Sequence, residues 1–112
     1  MYLDKGKQYQ IGSGQWVTLR EHSHVWLNNN GRVMKGSPIN WETFQTPGGQ
    51  WLTVYTGFPA GEPPYVTFNE SGKVVRCILG ADLTVKTREG KFVKYSKFET
   101  LEFDSEGYVS NR

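Results

Sequence analysis

Apolar and polar residues alternate in short runs along most of this chain. Val17, Leu19, Val25 and Leu27 share one parity, while Trp16, Thr18, Arg20, His22, His24 and Trp26 share the other. A period of two marks a strand with one flank buried and one solvated, so residues 16–27 predict a strand or a bent pair of strands with an aromatic and cationic face. Similar runs predict strands around 9–11, 39–44, 51–56, 65–68, 73–79, 83–87, 92–98, 101–103 and 108–112. Nowhere do apolar residues recur at helical spacing over eleven or more positions, so little or no helix is expected.

Punctuation between the runs points the same way. Asn28-Asn29-Asn30-Gly31 supplies residues that tolerate the positive φ of a tight hairpin, and the same grammar returns at Asn69-Glu70-Ser71-Gly72 and Asp104-Ser105-Glu106-Gly107, with a looser copy at Glu89-Gly90. Spacings of 41 and then 35 residues between Gly31, Gly72 and Gly107 are unequal. They read as recurring hairpin chemistry and not as a solenoid of fixed period. The stretch 57–64 holds three prolines and two glycines, which exclude a central strand or a helix interior and make a loop.

The expected fold is therefore all-β and antiparallel, a hairpin-rich small barrel or two-layer sandwich. Its 112 residues fit a single domain, 1–112, large enough for a core without staples. Cys77, the only cysteine, sits in an apolar run and reads as a buried hydrophobe in a reducing, cytoplasmic setting. No window approaches a membrane span, so no membrane partner is expected. Thirteen basic against eleven acidic residues permit a nucleic-acid partner without demanding one.

Candidate chemistry is thin. No Gly-x-Ser-x-Gly, phosphate-loop or His-Glu-x-x-His pattern is present, and the carboxylates Glu99, Glu102, Asp104 and Glu106 gather at a hairpin where they read as a solvated rim. No enzyme activity and no cofactor are expected. His22 and His24 lie two apart on a strand and could share a metal if a third ligand arrived from a neighbouring strand. This pair resembles the His-x-His of the cupin family, and Pro59-Ala60-Gly61 resembles that family's Pro-x-Gly. The resemblance implies a metal-binding protein with His22 and His24 as ligands. The chain departs from the family pattern after His24, where no glutamate follows at short distance, and after Pro-x-Gly, where Pro63-Pro64 stand in place of a histidine.

Two surfaces are nominated for binding. The first combines Trp16, Arg20, Trp26 and Tyr65 with Phe58, Pro59 and Glu62 of the 57–64 loop; large rings with few rotatable bonds suit a protein interface. A non-catalytic protein-binding module, as adaptors, inhibitors or assembly components are, is the leading expectation. The second is the basic and aromatic stretch 86–98, where Lys86, Arg88, Lys91, Lys94 and Lys97 alternate with Phe92 and Tyr95 and could grip a phosphate backbone. Acidic residues follow at once and could neutralise it across a strand ladder. An edge strand could also pair two copies of the chain.

Overall fold

The computed structural model of the chain describes residues 1–57 and 63–111. Its thirteen short strands run β1 (Tyr2–Leu3), β2 (Lys7–Gln10), β3 (Trp16–Leu19), β4 (Ser23–His24), β5 (Trp26–Leu27), β6 (Val33–Gly36), β7 (Thr43–Gln45), β8 (Trp51–Thr53), β9 (Val66–Phe68), β10 (Val74–Ile78), β11 (Leu83–Lys86), β12 (Phe92–Tyr95) and β13 (Thr100–Glu102). No helix occurs among the described residues. Strand pairs are antiparallel, and the largest sheet has the order β13-β10-β9-β6-β5. That order ends on two edges, so the sheet does not close, and of the two expected architectures the hairpin-rich sandwich fits and the closed barrel does not.

One turn is used six times. In each, the N–H of the first residue donates to the carbonyl four residues on, and a glycine N–H donates back to the first residue's carbonyl; the first residues are Ile11, Asn28, Thr46, Asn69, Thr87 and Asp104. This is the three-residue hairpin loop that ends on a residue in the left-handed region, which glycine occupies without steric penalty. The glycines are Gly14, Gly31, Gly49, Gly72, Gly90 and Gly107, all at positive φ, with intervals of 17, 18, 23, 18 and 17 residues. The unequal spacings of the sequence thus conceal a repeat. Its unit is two hairpins in 35 residues, and the middle unit carries six more between Gly49 and Gly72, the interval that holds the 57–64 stretch.

Within a unit the two hairpins differ. The second of each pair opens on an Asx turn, in which Asn28, Asn69 or Asp104 accepts N–H bonds at 2.9–3.0 Å from residues two and four further on. These hairpins, β5–β6, β9–β10 and β13 with its bridge to Val109, build the central sheet. The first hairpins, β2–β3, β7–β8 and β11–β12, remain two-stranded and form the other layer. One core lies between, where Phe44 of β7 meets Phe68 of β9 edge to face at 5.0 Å among buried Val17, Leu19, Val33, Val54, Val74 and Leu101.

Two expectations need correction. The alternation at 39–44 suggests one strand, but β7 starts only at Thr43, and Ile39 and Trp41 are exposed. Pro38 turns the chain, and the Ile39 amide instead donates to the Thr18 carbonyl at 3.1 Å. The even-numbered face of 16–27 is likewise not one face. β3 ends at Leu19, Ser23 Oγ caps the Arg20 carbonyl at 2.6 Å, and His22 takes a φ of 58°, carrying the chain from one layer to the other. Trp16 and Trp26 therefore belong to different sheets.

Candidate functional site

The outward face of the central sheet is built by a single row of cross-strand partners. Trp26 pairs with Lys35, Lys35 with Thr67, Thr67 with Arg76 and Arg76 with Glu102. Directly opposed residues project to the same side, so these five stand shoulder to shoulder. Their immediate neighbours Val66, Phe68, Cys77 and Leu101 point inward and are buried, while register shifts at Trp26/Leu27 and at Val74/Arg76 let Val33 and Val74, two residues from Lys35 and Arg76, turn inward as well. At the far end the Arg76 guanidinium pairs with Glu102.

Around Trp26 the rings form a continuous path. Tyr2 meets His24 edge to face at 5.3 Å, His24 lies 5.9 Å from Trp26, and Trp26 meets Tyr65 edge to face at 5.5 Å. Lys35 Nζ hangs over both Trp26, at 4.8 Å, and Tyr65, at 5.5 Å, where the ring quadrupoles attract the ammonium group. The Tyr65 hydroxyl accepts the His24 amide N–H at 3.1 Å, joining the path to the backbone. Beside it a cleft of about 340 Å³ opens between Lys35, Tyr65, Thr67, Arg76, Ile78 and Thr100. A surface so arranged can bury apolar side chains against rings while offering a cation at its middle.

Of the residues expected at a protein-binding surface, Trp26 and Tyr65 come together here. Trp16 lies in the other layer, on β3. Arg20 reaches across to donate through Nη2 to the Thr56 carbonyl, a structural tie between units. Phe58, Pro59 and Glu62 lie outside the described residues. Tyr2, Lys35, Thr67 and Arg76 were not legible as members of one surface, although Lys35 and Arg76 stand at the same place in successive units, four residues after Gly31 and Gly72.

The basic stretch 86–98 forms the β11–β12 hairpin, with Lys86 opposite Phe92 and Thr84 opposite Lys94. Several of its charges are matched within the fold: Arg88 pairs with Asp104 at 2.7 Å and Glu106 at 3.1 Å, and Lys94 with Asp82 at 3.4 Å. Tyr95 packs on the core, while Lys97 lies over the rings of Trp41 and Phe98 at 5.4 and 5.0 Å. His22 Nδ1 shares a hydrogen bond of 3.1 Å with the Tyr2 hydroxyl, and no group of three or more His, Cys, Asp or Glu among the described residues could complete a metal site around His22 and His24.

Burial shifts two further ionisable groups. Burial pushes the Cys77 thiol up to about 12, which leaves it protonated and inert at neutral pH. Burial also raises Glu42, partly offset by hydrogen bonds from Thr18 and Asn40. No helix among the described residues is long and apolar enough to cross a membrane. No family model, curated protein or solved structure matches this chain.

Proposed function

We propose that this chain is a non-catalytic binding module that engages a protein partner across the open face of its central sheet. The observation that carries the reading is the unbroken path of rings from Tyr2 through His24 and Trp26 to Tyr65, with Lys35 over two of them. Trp26 keeps 44% of its surface exposed on the edge strand β5. Exposed aromatic clusters rimmed by charge are where binding energy concentrates in protein interfaces. The partner that fits presents an apolar side chain to the cleft beside Tyr65 and a carboxylate to Lys35. Pro63 and Pro64, which lead directly into Tyr65, line the same cleft. A cytoplasmic setting suits a chain whose single cysteine is a buried thiol.

The test is affinity capture from the native host with the wild-type chain and with Trp26→Ala/Tyr65→Ala, after melting curves have shown both to be folded. A partner held by the wild type and lost by the double variant supports the reading. Retention by the double variant, or binding that follows only Lys86, Lys91 and Lys97 and collapses with salt, overturns it and favours a nucleic-acid partner at β11–β12.

A further inference from the structure

The first hairpins of the three units present a second surface, on the other layer. Trp16, Trp51 and Phe92 occupy the same position, two residues after the turn glycine, and all three are exposed, at 59%, 57% and 71%. Each has a fixed cross-strand partner on its own face: Gln10, Gln45 and Lys86. The two glutamines are held alike. Their Nε2 atoms donate to the Gly14 and Gly49 carbonyls at 3.0 and 3.2 Å, and their Oε1 atoms accept from Arg32 Nη1 and, at 2.7 Å, from Lys73 Nζ. In the first two units a cation is thus held on the glutamine opposite the ring, Arg32 on Gln10 and Lys73 on Gln45, and in the third Lys86 is itself the partner of Phe92.

The three hairpins lie side by side. Gln15 Nε2 reaches the Thr43 carbonyl of the next hairpin at 3.2 Å, and Gln50 Nε2 reaches the Thr84 carbonyl at 2.5 Å, the same contact one unit on. In the central sheet each unit adds two strands, a translation of about 9.6 Å per unit, and the repeated Gln15 and Gln50 contacts carry the same repeat into this layer. That translation is close to the length of one disaccharide in an extended β-linked glycan. The rest of the face is hydrogen-bonding, with Gln8 opposite Thr18 and Thr43 opposite Thr53, and in the third hairpin Lys94 stands opposite Thr84, its charge matched by Asp82 just before β11.

Charge decides the kind of glycan. None of the six strands in this layer holds an Asp or Glu, in a chain that has eleven. No carboxylate pairs with Arg32, Lys73 or Lys86 among the described residues. We infer that this face binds an extended, β-linked acidic polysaccharide, each ring stacking on one sugar per disaccharide and the cations meeting its carboxylates. A single-stranded nucleic acid offers rings and charge as well, but its bases follow one another more closely than one per unit, and it leaves the hydroxyl and amide groups of the face without use.

The experiment is titration of the full chain, followed by tryptophan fluorescence and calorimetry, with a hexasaccharide of alternating β-linked glucuronate and N-acetylhexosamine and a β-linked mannuronate hexasaccharide. Cellohexaose and a twelve-nucleotide oligothymidylate are the comparators. Binding of an acidic hexasaccharide with a fluorescence shift, weakened about tenfold by either Trp16→Ala or Trp51→Ala and unchanged by Trp26→Ala, bears the inference out. Equal binding of cellohexaose overturns the role of the cations. Preference for the oligothymidylate, or no binding of either acidic hexasaccharide, overturns the inference as a whole. Because Trp26→Ala alters only the central-sheet face, the outcome is independent of the protein-binding reading.

Discussion

Gly12 and Gly72 pack backbone against backbone where the first turn of one unit meets the second turn of the next. A Cβ on Gly72 would stand 2.3 Å from the Ser13 nitrogen, and a Cβ on Gly12 would stand 1.9 Å from the Glu70 carbonyl oxygen. The contact recurs one unit later, with a Cβ on Gly107 falling 2.3 Å from the Gly48 nitrogen. Two turns that lack side chains can seat in one another, and this seating holds the two layers in register along the repeat.

Gly72 and Gly31 should therefore differ although both sit at positive φ, 78° and 77°. Around Gly31 a Cβ would meet nothing within 4 Å. Gly31→Ala should cost only the left-handed backbone penalty, about 1–2 kcal/mol. Gly72→Ala adds a clash with backbone that cannot move aside and should cost at least twice as much; Gly72→Val and Gly31→Val should each be worse than the alanine at the same site. Chemical denaturation of the four variants checks this, and equal losses at Gly31 and Gly72 would refute the seating of the turns.

At the end of the array Arg88 stands where the first unit has Gly12. Its guanidinium lies 4.4 Å from the Tyr108 ring and between Asp104 and Glu106, filling the place a following turn would take. These groups are solvated, so Arg88→Ala should leave the melting temperature nearly unchanged. Charge reversal at Lys91 and Lys94 should be similarly mild, within about 0.5 kcal/mol, as for most surface positions. Melting curves decide both; a large loss from Lys91→Glu would mean that the hairpin charge is structural.

Phe44 and Phe68 join the layers, and both are fully buried. Phe44→Ala should cost about 3–5 kcal/mol, because the cavity lies between two sheets that cannot collapse onto it. A two-state unfolding measurement in urea reads this directly.

Cys77 should not react with a thiol reagent at pH 8 in the folded chain and should react fully once unfolded. Burial, which keeps its thiol protonated up to about 12, is the cause. Rapid labelling without denaturant would show that β10 opens locally.

Acid should destabilise the fold through Asp82 and Asp104. Asp82 is held below the ordinary carboxylate range by the Lys97 amide and by Lys94. At Asp104 burial works upward and is outweighed by the Tyr108 and Glu106 amides and by Arg88. A lowered folded pKa stabilises above the unfolded value, about 3.9, and the stabilisation is lost as pH falls through the folded one. Glu42, raised by burial, has the opposite sign and favours the fold as it protonates. Melting temperature should thus fall modestly as pH drops below about 4 in the wild type, less in Asp104→Asn, and Glu42→Gln should gain stability at neutral pH. A melting temperature that climbs below pH 4 would contradict this assignment.

Local chemistry along the chain determined the turns and most of the strands, and which parity is buried up to Val25; Leu27, of the same parity, is exposed on the edge strand β5. Asn28, Asn69 and Asp104 open turns through their own side-chain oxygens, and glycine three residues later closes them, so both features are written within five residues. The alternation at 17–25 likewise marks Val17, Leu19 and Val25 as core, as the structure has them. Tertiary structure decided what those elements do together. Six extra residues in the middle unit hid the repeat from inspection of spacing alone. Only the pairing of β6 with β9 sets Lys35 beside Thr67, and only the turn at His22 sends Trp16 and Trp26 to different layers. Parity says that two residues point the same way from a strand. It does not say which sheet the strand joins, because that depends on backbone partners distant in sequence.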